Sequence, residues 1–285
     1  MAVSIIAWNM QGERNTGYND AYPLVFGKIL PLLFNAYPND YWLIYLCEAG
    51  NPFMVSTSQV TPGAVALYFN SDPTGKEYAI PWGLPKNFAA RGIYSPWQQP
   101  DKQGNLRCSV MIMEVVKYGC DDFPKYPRFQ FSYDFLKSNS QLGNIRPIVY
   151  AVKQAGSTND FSIAGVHNVA NQTSAVAPTN AIAKSFSGGT RGACIVGDMN
   201  IAAPIKSSDT WPAGLELGSY QALLAGAATQ LGGNQLDWAF QNMAESKSAT
   251  AAVVRSLSVI PSFKDGEYSG IISSDHEVLY YRLDF

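Results

Sequence analysis

The chain holds two histidines in 285 residues, His167 and His276. Both lie where an apolar run gives way to polar residues: His167 in FSIAGVHN, and His276 after Asp275 in SSDHE. Four more segments have this form. They are WNMQG with Asn9, LCEAG with Glu48, GDMN with Asp198 and Asn200, and NQLDWAF with Asp237. Imidazoles suit proton transfer near neutral pH. Glu48, Asp275 and Asn9 are hard oxygen ligands of the kind taken by Mg2+, Mn2+ or Ca2+, and no Cys/His set has zinc spacing. Asp237 could hold one imidazole in a single tautomer. A phosphate ester needs these parts: a cation and donors on its non-bridging oxygens, an activated water, and a proton for the leaving group.

Each piece alone has a plainer reading. GDMN is ordinary turn chemistry, because Asp and Asn side chains bond their own backbone. Asn9 alone is a strand-end hydrogen bonder, a lone His167 is more often structural, and SSDHE alone is an exposed turn. Glu48 is odder, since a carboxylate beside a buried run needs a partner or a cation. The joint pattern is the argument: both histidines of the chain fall in motifs of one type.

These residues need elements to carry them. Apolar runs predict strands over Val3–Trp8, Tyr41–Leu46, Val65–Phe69, Arg107–Val116, Arg128–Tyr133, Ile145–Lys153, Phe161–Val166, Ala193–Val196, Leu236–Phe240, Ala251–Val259 and Val278–Leu283. In this reading the strand from Ala193 stops at Val196, and GDMN follows it. Helices are expected over Tyr22–Phe34 and Val176–Phe186. Residues 70–105 are rich in Pro and Gly and read as specificity loops. Many strongly apolar strands with few helices fit two packed sheets with helices outside them. No short-period repeat or low-complexity linker divides the chain, so residues 1–285 are expected to form one domain.

Composition narrows the class. Apolar residues make up 47% of the chain, enough for a substantial core. Net charge is −2, so nucleic-acid contact would have to be local or shielded by a cation. No apolar run reaches the length of a transmembrane segment, and MAVSIIAWNM lacks the basic start of a signal peptide. Four cysteines are too few for a disulfide scaffold. Cys47 and Cys194 read as buried thiols. A straight strand between Cys108 and Cys120 would hold them roughly 40 Å apart, beyond disulfide reach.

The ordered set WNMQG, LCEAG, GVHN, GDMN, NQLDWAF and SDHEVLYY resembles the endonuclease/exonuclease/phosphatase superfamily, typified by deoxyribonuclease I. WNMQG with EAG, and NQLDWAF before SDH, look most like the B subunit of cytolethal distending toxins. The resemblance implies a four-layer α/β sandwich, two mostly antiparallel packed sheets flanked by helices. It implies a Mg2+-dependent phosphodiesterase acting on DNA as the catalytic, secreted subunit of a genotoxin, carried by delivery subunits to the host nucleus. A phosphoinositide phosphatase or sphingomyelinase would use the same fold, and a catalytically inactive binding module is a further alternative. Carried over by motif, Glu48, Asn9 and Asp275 would hold the metal. His276 would be the general base or acid, oriented by Asp237. Asp198 and Asn200 would position water and phosphate, His167 would contact the scissile phosphate, and Arg146 and Arg107 would grip substrate. Two departures stand out. Leu106 lies nearest the position where deoxyribonuclease I pairs its first catalytic His with a Glu. Ile201, Ala202 and Ala203 stand where toxin relatives commonly carry Arg.

Overall fold

The structure, a computed structural model, describes residues 2–10, 29–48, 64–69, 72–79, 88–95, 110–117, 147–153, 160–186, 192–230, 232–243, 248–254, 257–258 and 276–284. In chain order the first strands are β1 (Ala2–Asn9), β2 (Tyr41–Cys47), β3 (Ala64–Phe69), β4 (Asp72–Ala79), β5 (Phe88–Ser95) and β6 (Val110–Lys117). The later ones are β7 (Ile148–Lys153), β8 (Asp160–His167), β9 (Ala193–Ala203), β10 (Gln221–Leu223), β11 (Gln235–Gln241), β12 (Ser248–Val253) and β13 (Leu279–Asp284). Two helices are described, α1 (Leu30–Ala36) and α2 (Gln172–Ser185).

Eight strands form one sheet in the order β12-β13-β1-β2-β6-β5-β3-β4, and five form a second in the order β10-β11-β9-β8-β7. Most neighbours run antiparallel; β1/β2, β3/β5 and β8/β9 are parallel. The sheets pack face to face through one core. Its columns are Val3, Ile5 and Ala7 of β1, Leu43 and Tyr45 of β2, Phe161 and Ile163 of β8, and Cys194 and Val196 of β9. These residues alternate along their strands, as a pleat with a period of two requires. The residues between them face outward and are also covered. Phe34 of α1 meets Trp42 edge to face, with ring centroids 4.9 Å apart. On the far side Ala175 and Ile182 of α2 pack on Ala164, Val166 and Ile195. Helix, sheet, sheet and helix make four layers, and burial on both faces explains the near-continuous apolar runs of β1 and β2.

Tyr45 locks the two sheets together. Its ring lies against Gly165 of β8 and Gly197 of β9, and a Cβ on Gly165 would overlap that ring. Two absent side chains on one sheet therefore make the seat for a large ring from the other.

Four sequence expectations change. Residues 70–105 include β4 and β5, so they are not loop throughout. Pro73 and Gly75 lie on the outermost strand of its sheet, where a missing ladder donor is tolerated. Helix α2 starts four residues before Val176, because Asn171 caps it by accepting from Ser174 N at 3.0 Å, and Pro178 sits inside it. GDMN lies within β9: Gly197 and Asp198 remain paired with β8 and β11. The strand placed at Ala251–Val259 runs instead from Ser248 to Val253. The expected strand Arg128–Tyr133, the first part of the Tyr22–Phe34 helix, Cys108, Cys120 and Leu106 lie outside the described residues. Cys47 and Cys194 are free and buried. Burial pushes the Cys194 thiol up to about 12 and raises Cys47 as well, so both are unreactive thiols. Among the described residues no helix is long and apolar enough to cross a membrane.

Candidate active site

The inter-sheet columns run upward and change chemistry at one end. The column Val3-Ile5-Ala7 continues into Asn9, and Phe161-Ile163-Gly165 continues into His167. Cys194-Val196 continues into Asp198, and on β11 Ala239 is followed on the same face by Asp237. Register aligns them. His167 pairs with Asp198 across β8 and β9, and Asp198 with Asp237 across β9 and β11. Three polar residues from three adjacent strands thus form one row, and Asn9 faces them from the other sheet.

Glu48 joins by a different device. After Cys47, simple alternation would send it to the outer face. Its backbone instead takes φ 48°, a left-handed conformation rare for a residue with a side chain. Its Oε1 then lies 3.3 Å from Asn9 Nδ2 and 3.4 Å from His167 Nε2. Asn200 is the other non-glycine residue with positive φ, 51°, among those described. Its backbone N–H donates to Asp198 Oδ1 at 2.9 Å, and its Nδ2 donates to the Asn168 carbonyl at 3.0 Å. Left-handed residues of this kind cost about 1–3 kcal/mol each and gather at functional sites.

Asp198 sits in the middle. Asn9 Nδ2 donates to its Oδ2 at 3.0 Å. The same oxygen lies 3.9 Å from His167 Nε2 and 3.9 Å from His276 Nε2. Those spans are too long for direct hydrogen bonds and suit a bridging water or phosphate oxygen. His276 Nδ1 is 2.7 Å from Asp237 Oδ2. The same carboxylate oxygen takes a hydrogen bond from Thr229 Oγ1 at 2.9 Å. Burial pushes Asp237 up to about 6, while His276 and Thr229 pull the other way. His167 is 14% exposed and Glu48 23%, so the opening lies on their side; Asp198, Asp237 and His276 are buried beneath.

The structure therefore brings together Asn9, Glu48, His167, Asp198, Asn200, Asp237 and His276. Asp275, Arg107 and Arg146 lie outside the described residues. Ile201 and Ala203 continue β9 as buried residues, which accounts for apolar side chains there in place of a cation. Sequence reasoning missed two residues. Asn168 is buried and fully used: Nδ2 donates to Ala175 O and Thr179 Oγ1, Oδ1 accepts from Val169 N, and its backbone N–H donates to Asp198 O. Its place after His167 was the available signal. Thr229 had none.

Two groups of side chains offer ligand atoms to a cation. Asp198, Asp237 and His276 offer ligand atoms within 4.8 Å of one another. But His276 and Asp237 already bond each other, and Thr229 holds the carboxylate. Glu48 instead presents its carboxylate at the opening, next to Asn9, with hard oxygen chemistry that fits Mg2+.

No protein-family model matches the chain, and no curated protein is significantly similar to it. Solved structures are. The cytolethal distending toxin from Actinobacillus actinomycetemcomitans is 16% identical, with 98% of this chain and 97% of that one covered at a TM-score of 0.50. A humanized TDP2 of D. rerio is 10% identical, with 100% and 99% covered at 0.53. The Haemophilus ducreyi cytolethal distending toxin is 16% identical, with 99% and 98% covered at 0.49. At such identities the likeness is one of fold: the chain has the deoxyribonuclease I-like α/β sandwich.

Proposed function

We propose that the chain is a Mg2+-dependent phosphodiesterase that cleaves DNA as one catalytic domain, and that it is the catalytic subunit of a distending-type genotoxin. The observation that carries the chemistry is the buried His276–Asp237 pair at 2.7 Å, facing Asp198 across 3.9 Å, with Glu48 and Asn9 opposite. The toxin reading is supported by the motif series and by the end-to-end fold likeness to a solved distending toxin.

The residues divide the work. Asp237 accepts a hydrogen bond from His276 Nδ1, so Nε2 carries the lone pair that takes a proton from water. Asp198 Oδ2, within a water's span of Nε2, orients that water for in-line attack. Asn200, with Arg146 and Arg107, binds the non-bridging oxygens, Arg by its planar fork. His167, beside Glu48 at the opening, serves the leaving oxygen. A hard divalent cation, Mg2+ with Mn2+ or Ca2+ as alternatives, would be held by Glu48 with Asn9 and Asp275 and would neutralise charge on the phosphate when bound.

Nicking of supercoiled plasmid by the purified chain tests this, with Mg2+, with EDTA, and with His276→Ala as the contamination control. Nicking that needs Mg2+ and is lost in the variant is the expected result. A folded, metal-binding protein that leaves plasmid intact would redirect the substrate to a lipid or inositol phosphate. Failure to bind metal as well would favour an inactive binding module.

A further inference from the structure

Thr229 is wholly buried and belongs to none of the site motifs. Its Oγ1 accepts backbone N–H groups from Leu236 and Asp237, each at 3.0 Å. Those two donors occupy the hydroxyl's acceptor capacity, so its single hydrogen goes to Asp237 Oδ2 at 2.9 Å. An ionised carboxylate has no hydrogen to donate, so above about pH 6 Asp237 Oδ2 accepts from Thr229 and accepts again from its other partner. His276 Nδ1, 2.7 Å away, is therefore the protonated nitrogen, and Nε2 carries the lone pair that faces Asp198. The backbone of Thr229 grips the other member of the pair. Its carbonyl accepts from Glu277 N at 2.8 Å, next to His276, and Gln230 forms a bridge with His276 itself. Thr229 N and Gln230 N both donate to Asn234 O, which closes the turn leading into β11.

We propose that Thr229 is a positioning residue that sets the tautomer and orientation of the His276–Asp237 pair for hydrolysis. The proposal rests on the phosphodiesterase reading and extends it to a residue that does not touch substrate. Loss of a partner of this kind, one step removed from the reacting atoms, lowers activity about 10–100-fold in comparable sites.

The chain's two imidazoles can be read directly by nitrogen-15 NMR, with His167→Ala assigning the remaining signal to His276. The expected spectrum of the wild type shows His276 protonated on Nδ1, in Thr229→Ser as in wild type, and an altered tautomer balance in Thr229→Val. With bis(4-nitrophenyl) phosphate and Mg2+, Thr229→Val should lose about 10–100-fold in kcat with KM within about twofold, and Thr229→Ser should keep near-wild-type kcat. An Nε2-protonated His276 in the wild type overturns the proposal, as does a folded Thr229→Val with wild-type kcat. If Thr229→Val does not fold, the wild-type and Thr229→Ser spectra decide. If wild-type turnover does not exceed that of His276→Ala, the phosphodiesterase reading fails, and the tautomer measurement still judges Thr229.

Discussion

Gly197→Ala separates the inter-sheet seat from ordinary backbone strain. Gly197 has φ 136°, and a Cβ there would lie 2.7 Å from Tyr45 Cε1 and overlap the Val166 carbonyl oxygen. Neither neighbour can yield: Tyr45 is buried between the sheets, and Val166 O belongs to β8, whose Val166 pairs with Gly197. Overpacking costs about 1–3 kcal/mol, and the backbone conformation adds about 1–3 kcal/mol. Their sum, at about 2–4 °C per kcal/mol for large domains, lowers Tm on the order of 5–20 °C. Gly218→Ala is the control. It has φ 61° and nothing within 4 Å, so it carries the backbone cost alone. Pushing β8 from β9 also moves His167 relative to Asp198, and a displacement near 1 Å can cost about 100-fold in turnover. Differential scanning calorimetry and plasmid nicking on the two variants are the assays. Equal Tm values for Gly197→Ala and Gly218→Ala would refute the steric reasoning, and a destabilised Gly197→Ala with full turnover per folded molecule would refute its link to the site.

Other outcomes follow from the site. Mg2+ should raise the Tm of the wild type, by about 2.7 kcal/mol of stability at 100-fold excess over Kd, and Glu48→Ala should abolish that rise; an undiminished shift would remove Glu48 from the proposed metal site. Asp237 is held at about 6 when folded, above its ordinary 3.8, so the native state keeps a proton that the unfolded chain releases. Its contribution to stability falls as pH rises from about 4 to about 6, by at most about 3 kcal/mol. Asp237→Asn should therefore gain stability relative to wild type in urea unfolding at pH 7.5 compared with pH 4.5, while turnover falls; a pH-independent difference would contradict this. Asn168→Ala should cost about 1–3 kcal/mol by stripping donors from buried acceptors and should reduce turnover through Asn200; unchanged melting and turnover would show that its network carries neither stability nor the site.

The site was legible because its residues break an otherwise simple rule. Asn9, His167, Asp198 and Asp237 interrupt alternating apolar strands on the core-facing side, and polar residues there stand out without any structure. Glu48 was legible by type, but its reach depends on a left-handed backbone that no local composition announces. β4 and β5 were hidden because edge position and long-range pairing, not propensity, decide strands that contain Pro73, Gly75 or Gly92. GDMN was read as following its strand because Gly, Asp and Asn are turn residues, yet Gly197 and Asp198 stay paired with β8 and β11, and β9 rejoins β11 at Ala203 after a register shift. Thr229 was invisible, since its value comes from a turn that folds back under Asp237 rather than from its neighbours in sequence.

The placement of β1 has a consequence for how the molecule comes into being. β1 lies inside its sheet between β2 and β13, and Ala2 pairs with Asp284. On the ribosome, β1 must wait with one edge open for β13, made far later, and closing so long a loop is slow. His276 emerges at the same late stage, just ahead of β13. Chains stalled before residue 276 should remain protease-sensitive through β1 and turn resistant only once β13 is released. Early resistance would show that β1 settles without it. Chains that have not yet reached residue 276 lack His276, so on them the proposed hydrolytic site is incomplete.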